Sequence, residues 1–159
     1  MDFQYTDKTK ELVLQVREFI NTEIRPVEAR FRDELAANPW ETPPVMDELK
    51  AKARAKARED RERRGEVCRE EGNRWVRKKR AKNRFVEAEK CYRRGLKETP
   101  FSVPLLNNLS MVLLRQGRRE EVMDFCERSL FVQSEGNHKA LFRKLQMQIE
   151  KEEKEEEEG

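Results

Sequence analysis

One pattern in the second half of the chain returns after 34 residues, and it constrains the fold more than any other feature. Four positions of the first segment recur in the second: Phe85, Ala88, Tyr92 and Leu96 as Arg119, Val122, Cys126 and Leu130. The dipeptide Asn83-Arg84 recurs as Gly117-Arg118 in the same way. A fixed period of this length is typical of repeat proteins, in which each helical unit buries its apolar face only against its neighbours. The period therefore predicts an all-α array of stacked helix pairs.

The composition supports thin layers of helix rather than a thick core. Charged residues make up 42% of the 159 residues, and apolar residues make up 36%. An average globular domain has roughly 25% charged and 45 to 50% apolar residues. The net charge is +3, with basic residues concentrated in the middle of the chain and glutamates at its end. Amphipathic helices whose long charged faces stay in water fit these values.

Several function classes are excluded by what the sequence lacks. No stretch approaches the roughly 18 consecutive apolar residues of a membrane span, so no membrane association is expected. Three widely spaced cysteines, Cys68, Cys91 and Cys126, with His138 as the one histidine, do not form a zinc-binding pattern. These cysteines are typical of a reduced intracellular protein. We therefore predict no metal, no cofactor and no enzymatic activity, and a cytoplasmic location, with the nucleus as the alternative.

The beginning of the chain has a different character from the rest. The run FQYTDKTKELVLQVREFINTEIRPVEARF, followed by PPVMDELKAKARA, resembles the opening helices of the acyl-CoA dehydrogenase family over residues 3–55. Where that family continues into its flavin-binding strands, this chain reads Lys56-Ala57-Arg58-Glu59-Asp60. The resemblance therefore implies a helical segment, but neither a flavin site nor the family's catalytic carboxylate.

The second half resembles the tetratricopeptide-repeat family. EGNRWVRKKRAKNRFVEAEKCYRRGLKETP is similar to a first repeat, LLNNLSMVLLRQGRREEVMDFCERSL to a second, and GNHKALFRKL to the start of a third, over residues 66–148. The resemblance implies two helix-turn-helix pairs plus one helix, acting as a protein-binding module. The predicted division is a helical segment at 1–55, a charged helical linker at 56–65, the repeats at 66–149 and an acidic tail at 150–159.

Five polar residues match a known binding pattern of this family. One group of tetratricopeptide co-chaperones binds the C-terminal peptide of heat-shock chaperones, which ends in Glu-Glu-Val-Asp, through a two-carboxylate clamp. The matching positions are Arg69 and Asn73 in CREEGN, Asn108 in LLNNLSM, and Lys139 and Arg143 in KALFRK. Each of the two pairs spans four residues, so its members share a helix face. Charged and neutral donors that converge from different helices suit a terminus with two carboxylates.

Other interpretations remain open at the level of sequence. The run RWVRKKRAKNR at 74–84 holds seven cations and no acid, which is also typical of nucleic-acid binding, although helix burial of Trp75 would leave only one basic edge. A non-functional fusion fragment of an acyl-CoA dehydrogenase is a further alternative. The glutamates after residue 149 are either a solubilising tail or an anionic segment that folds back onto the basic groove. The preferred chaperone, the role of residues 1–55 and the oligomeric state are left open.

Overall fold

The protein is all-α in the computed structural model, which describes residues 6–158 and their side chains except those of residues 154, 155, 157 and 158. Residues 3–5, where the resemblance to acyl-CoA dehydrogenases begins, and residue 159, the end of the predicted acidic tail, lie outside the described residues. The described part contains helices and turns but no strand, which confirms the all-α part of the predicted fold class. Its α-helices are α1 (Asp7–Phe19), α2 (Glu28–Ala37), α3 (Pro44–Arg77), α4 (Arg84–Glu98), α5 (Val103–Arg115), α6 (Arg119–Val132) and α7 (His138–Glu158).

The chain divides into two compact units, the first of which ends at Arg58. In this unit α1 begins at the Thr6 cap, whose hydroxyl accepts a hydrogen bond from the backbone N–H of Thr9. After α1 the helix widens into a π-helical turn and then tightens into a 3-10 turn that contains Pro26. Proline has no N–H to donate, and its ring crowds the carbonyl one turn earlier, so a regular helix cannot continue through it.

The first unit has almost no apolar core. Val45 is its one large apolar side chain that is buried among the described residues. The contacts around it are polar: Arg30 donates to Glu34 at 2.7 Å and to Glu48 at 2.6 and 2.9 Å, and Glu34 also accepts from the Val45 backbone N–H. Exposed ion pairs each contribute at most about 1 kcal/mol. The first unit therefore has few interactions that would stabilise it.

The second unit, from Glu59 onward, contains the core of the molecule. Helices α4, α5, α6 and α7 pack in chain order, each against the next. The fully buried side chains of this core are Ala88, Tyr92, Leu105, Leu106, Leu109, Val112, Leu113, Val122, Cys126 and Ala140. The C-terminal part of α3 covers one end, where Trp75 and Val76 pack on the core. Each helix therefore buries its apolar stripe against its sequence neighbours, as expected for a layered array.

Two glycines make the turns that let neighbouring helices pack side by side. Gly117 between α5 and α6 has φ 75°, and Gly136 between α6 and α7 has φ 71°. Side chains disfavour this left-handed region, whereas glycine adopts it without strain. Pro104 lies in the first turn of α5, where its missing N–H has no helical partner to lose.

Helix α3 runs through the residues at which the sequence suggests domain boundaries. Residues 56–65, predicted as a linker, are part of this continuous helix. Alanine, arginine, lysine and glutamate are strong helix formers, and i,i+3 pairs such as Asp60 with Arg63 at 2.9 Å add local support. This stretch of α3 is thus maintained although most of its side chains are charged and exposed.

Three further features of the described residues concern membrane spans, metal clusters and cysteines. No helix among them is long and apolar enough to cross a membrane. They include no group of histidine, cysteine, aspartate and glutamate side chains that could hold a metal ion. All three cysteines are free thiols and buried. Burial raises the pKa of Cys91 and of Cys126, so both remain protonated at neutral pH.

Candidate functional site

Two of the five predicted clamp residues are in direct contact. Asn73 near the end of α3 and Asn108 in α5 are 35 positions apart in sequence, yet the Asn108 Nδ2 donates to the Asn73 Oδ1 at 3.0 Å. The Tyr92 hydroxyl of α4 donates to the same Asn73 oxygen at 2.7 Å. Both bonds end on the Asn73 oxygen. The Asn73 Nδ2 donates no hydrogen bond within the described part of the chain. The Asn73 amide is held by two helices with its donor group available to a ligand.

Arg69 lies one turn before Asn73 on α3 and is held by an acid of its own helix. Its Nε donates to Glu66 at 2.7 Å, and a second nitrogen binds the other oxygen of the same carboxylate. The Arg69 guanidinium holds the pKa of Glu66 below its usual range. A ligand carboxylate would therefore have to compete with Glu66 for this cation. The i,i+3 spacing of the two residues is visible in the sequence and is the signal that could have predicted the pair.

Arg143 is the most unusual charged group of the second unit. It lies in α7, half buried against α5, where its Nη1 donates to the Asn107 backbone oxygen at 2.8 Å and to the Ser110 hydroxyl at 3.0 Å. Burial lowers the pKa of Arg143 from its ordinary value. Both acceptors are neutral, and no carboxylate lies within ion-pair distance of Arg143 among the residues that the structure describes.

Another half-buried arginine of the same unit has acidic partners. Arg93 pairs with Glu89 at 2.8 Å and with Glu121 at 2.7 Å. Arg118 completes this cluster by pairing with Glu89 at 2.8 Å. The contrast matters because a partly buried charge is unfavourable unless an opposite charge is close to it. Arg143 therefore differs from Arg93 in having only neutral partners and no acidic one among the described residues.

Lys139 lies in the first turn of α7, one turn before Arg143. Its side chain is exposed, and it makes no ion pair within the described range. The structure thus brings Asn73 and Asn108 together and sets Arg143 against the turn of α5 that carries Asn108. Arg69 lies one turn from Asn73 but binds Glu66, and Lys139 makes no hydrogen bond to the other four among the described residues.

A buried polar network beneath Arg143 was not predicted from the sequence. Its members are Asn107, Ser110, Ser129 and Asn137. The Asn107 Nδ2 donates to the Asn137 Oδ1 at 2.9 Å, the Ser129 hydroxyl donates to the Asn107 Oδ1 at 2.9 Å, and the Asn137 Nδ2 donates to the Ser129 Oγ at 2.9 Å. The network joins α5, α6 and the start of α7 at the level of Arg143. The signal for it was a serine on the apolar face of α6, next to Cys126 and Leu130.

The basic run at 74–84 forms the end of α3, a turn and the start of α4. Six of its cations are exposed: Arg74, Arg77, Lys78, Lys79, Arg80 and Lys82. The Lys78 ammonium lies over the Trp75 ring, 3.7 Å from its centroid. The aromatic ring of the run is therefore covered by one of its own cations and by the core below it.

An apolar cleft of about 350 Å³ lies elsewhere on the second unit. Phe101 from the turn after α4 and Phe131 from the end of α6 form two of its walls, and both side chains are exposed. None of the five predicted clamp residues lines this cleft. Exposed phenylalanines were not singled out from the sequence, because their spacing does not distinguish a cleft from a packed helix face.

The chain matches no protein-family model, no curated protein and no solved structure. The tetratricopeptide and acyl-CoA dehydrogenase resemblances therefore stay predictions that rest on the residues quoted for them. What can be argued about function comes from the geometry of the side chains.

Proposed function

We propose that the second unit is a peptide-binding module of the tetratricopeptide co-chaperone type, which captures the C-terminal Glu-Glu-Val-Asp segment of heat-shock chaperones. The observation that carries this proposal is the half-buried Arg143, which has no carboxylate partner among the described residues. A peptide terminus with two carboxylates would supply the missing negative charge. The arginine is already partly removed from water, so ligand binding would cost less further desolvation than at a fully exposed cation.

The other four residues have complementary roles in the proposed clamp. Asn73 and Asn108 present neutral amide donors that orient a carboxylate without adding positive charge. Lys139 is an exposed ammonium that contributes long-range attraction and one charged hydrogen bond. Arg69 adds a third cation after it releases Glu66 and binds the ligand carboxylate. A hydrogen bond to a charged group contributes about 1.5 to 3 kcal/mol, so several of them support a complex of about 1 μM, or roughly −8 kcal/mol.

The direct test is a fluorescence anisotropy titration with two peptides of the same sequence. One ends in Glu-Glu-Val-Asp as the free acid, and the other has an amidated terminus. We expect saturable binding of the free acid that weakens with salt, and a loss of binding on amidation because one of the two carboxylates is gone. Equal titration curves for the two peptides would remove the proposal.

Charge reversal of Lys139 is the cleanest variant, because this side chain has no structural partner in the described residues. Lys139→Glu should abolish capture of the free-acid peptide. Lys79→Glu makes the same charge change in the turn after α3 and should retain binding. Arg143→Glu should also abolish capture, but it places a carboxylate against Asn107 and Ser110, so its folding must be checked by circular dichroism first.

Because Glu66 competes with the ligand for Arg69, removal of the Glu66 charge is expected to raise the affinity for the peptide. Glu66→Gln frees Arg69 and removes a negative charge from the site. Because an exposed ion pair is worth at most about 1 kcal/mol, peptide affinity should rise by up to about fivefold. Glu87→Gln removes the acid of a similar i,i+3 pair, with Lys90 on α4 at 2.8 Å, and should leave the affinity unchanged. A fall in affinity with Glu66→Gln would contradict the role given to Arg69.

Nucleic-acid binding is a second candidate, favoured by the exposed cations of the 74–84 run. Single-stranded nucleic acid is bound by basic grooves together with aromatic rings on which bases stack. Here the Trp75 ring lies under Lys78 and against the core, so it is not available for stacking with a base. Only the attraction between the cations and the phosphates is left to support binding. Retention on heparin that is lost in Lys79→Glu with Arg80→Glu, and kept in Lys139→Glu, would favour this candidate over the clamp.

For the first unit the second candidate is a fusion fragment without a role of its own. The apolar stripe of α1 favours it, because Leu12, Val13 and Val16 lie on one face of the helix and are exposed. A helix normally buries such a stripe. Non-cooperative unfolding of the whole protein would extend this interpretation to the second unit, whereas a sharp melt would restrict it to the first.

A further inference from the structure

One face of helix α7 is packed against the rest of the second unit, and the opposite face is exposed to solvent. Ala140, Arg143 and Met147 turn toward α5 and α6. On the opposite side six residues form a continuous stripe at alternating spacings of four and three: His138, Phe142, Leu145, Ile149, Glu152 and Glu156. All six are exposed, with Phe142 at 69% and Ile149 at 54%. This spacing is the heptad pattern of helices that pair along their length.

The apolar part of the stripe is too contiguous for an ordinary solvent-facing helix. Phe142, Leu145 and Ile149 follow one another on successive turns, and Leu141 lies beside them, exposed as well. Single exposed apolar side chains are normal, whereas a contiguous row bordered by charges marks an interaction surface. No element of the described chain covers this row.

The charges at the two ends of the stripe specify what fits it. At its N-terminal end the exposed residues are His138 and the cation Lys139, and at its C-terminal end they are Glu152, Glu153 and Glu156. The last turn of α7 contains no basic residue. Glutamates at a helix C-terminus oppose the negative end of their own helix dipole, and a helix N-terminus placed beside them relieves this.

We infer that α7 pairs in antiparallel orientation with α7 of a second copy of this chain. In this arrangement the apolar rows meet around a two-fold axis near Leu145 and Ile149. The acidic end of each helix then lies beside the N-terminal end of the other, with its lysine and its positive dipole. A parallel pair would instead set Glu152 and Glu156 of the two copies against each other. Because both copies use the same surface, the pairing leaves no free copy of it and the assembly stops at a dimer.

The pairing also accounts for the place of α7 in the array. The C-terminal part of α3 packs with α4, and α5 packs with α6, whereas α7 has no following helix in the described residues. The α7 of a second copy supplies the missing surface. The inference does not rest on peptide binding, because the apolar row lies on the opposite side of α7 from Arg143. Lys139, at the border of the row, is the one residue that the pairing shares with the proposed clamp.

The first test is the oligomeric state of the full chain in solution. Sedimentation velocity over a range of concentrations should show a reversible dimer for the wild type. Phe142→Ala removes a central interface aromatic, for which a loss of at least about 2 kcal/mol is expected, so the dissociation constant should rise about 30-fold or more. A wild-type chain that stays monomeric at high micromolar concentration overturns the inference.

Phe131→Ala is the matched control, since Phe131 is an exposed phenylalanine at 89% that lies at the end of α6 and lines the apolar cleft. Dimerisation should persist in this variant. A dimer that is lost with Phe131→Ala and kept with Phe142→Ala would place the interface at the cleft and overturn the inference. Loss of the dimer on charge reversal of Lys79 and Arg80, with the dimer kept in Phe142→Ala, would also overturn the inference. The acidic end of α7 would then bind the basic turn of the second copy.

The second test is the orientation of the two helices. Positions 138 and 156 are 18 residues apart, or roughly 27 Å along a helix. His138→Cys and Glu156→Cys proteins, mixed and oxidised, should form a mixed disulfide dimer, whereas each variant alone should not cross-link. The wild type controls for Cys68, Cys91 and Cys126, which are buried. Cross-linking of each variant with itself, and none in the mixture, would show a parallel pair and overturn the antiparallel assignment.

Discussion

Asn107 and Asn108 are neighbours in sequence with different environments. Asn107 points into the buried network of Ser129 and Asn137, while Asn108 turns toward Asn73. Successive helix residues differ by about 100° around the axis, so one turn of α5 contributes both to the interior and to the proposed groove. Only the second of these positions was predicted from the sequence, because the partners of Asn107 come from two other elements.

This difference predicts two separable phenotypes. Asn107→Ala should lower the free energy of unfolding by about 2 to 4 kcal/mol, because two buried polar partners lose hydrogen bonds. Asn108→Ala should change stability by less than about 1 kcal/mol, and it should weaken peptide binding about tenfold or more. Urea unfolding and anisotropy titration of both variants check this. Equal stability losses would contradict the distinction.

Tyr92 predicts a pH dependence of stability. Burial raises the pKa of its hydroxyl from about 10 to about 12. The folded state therefore holds this proton more tightly than the unfolded state, so its contribution is complete below pH 10 and is lost as pH rises to about 12. Two pKa units correspond to about 2.7 kcal/mol.

Tyr92→Phe separates this effect from the titration of lysines in the same pH range. The variant should be about 1 kcal/mol less stable at pH 7, because the bond to Asn73 is lost. Phenylalanine does not ionise, whereas the wild type loses up to about 2.7 kcal/mol, so the gap should close above pH 10 and reverse by about pH 12 in favour of Tyr92→Phe. Urea unfolding at several pH values measures it, and parallel stability curves would mean that Tyr92 ionisation is not linked to unfolding.

At the scale of single elements, α3 and α4 approach each other at a glycine. A Cβ added to Gly72 would lie 2.7 Å from Cδ1 and 2.8 Å from Cζ of the Tyr92 ring, well inside normal contact distance. Gly72→Ala should therefore destabilise the protein by about 1 to 3 kcal/mol through overpacking, although alanine is the better helix former by about 1 kcal/mol.

Gly95→Ala is the graded comparison for this prediction. A Cβ at Gly95 would meet Leu105 side-chain carbons at 3.0 and 3.1 Å and the Cβ of Cys68 at 3.1 Å. These are milder contacts, and the leucine tip can move, so the loss in a thermal melt should be smaller than for Gly72→Ala. A Gly72→Ala protein as stable as the wild type would show that the Tyr92 ring has room to shift.

The elements differ in how far the sequence predicts them. Apolar spacing and the 34-residue period predict the helices that became α4, α5 and α6, because each has a one-sided apolar stripe. The unbroken length of α3 was less predictable, since its middle buries little and depends on intrinsic helix propensity. The network under Arg143 depends on rotamers and on contacts between three elements, which spacing alone does not determine.

At the scale of the whole molecule, the two units differ in what stabilises them. The apolar core of the described residues lies in the second unit, whereas the first unit has Val45 and a few surface ion pairs. We therefore expect deletion of residues 1–43 to leave the main melting transition within a few degrees of the wild type, while helical signal falls in proportion to length. Calorimetry of the two chains tests this. A transition that disappears on deletion would show that the second unit depends on the first.

The close approach at Gly72 has a consequence for the evolvability of the site. Asn73 is the next residue on the same helix, so any repacking of α3 on α4 also turns the Asn73 amide. A side-chain tip roughly 6 Å from the helix axis moves by about 1 Å when the helix rotates by about 10°, and a displacement of that size weakens a positioned contact. A substitution in the interior between these helices would thus weaken ligand binding as well as stability, and selection would act on both.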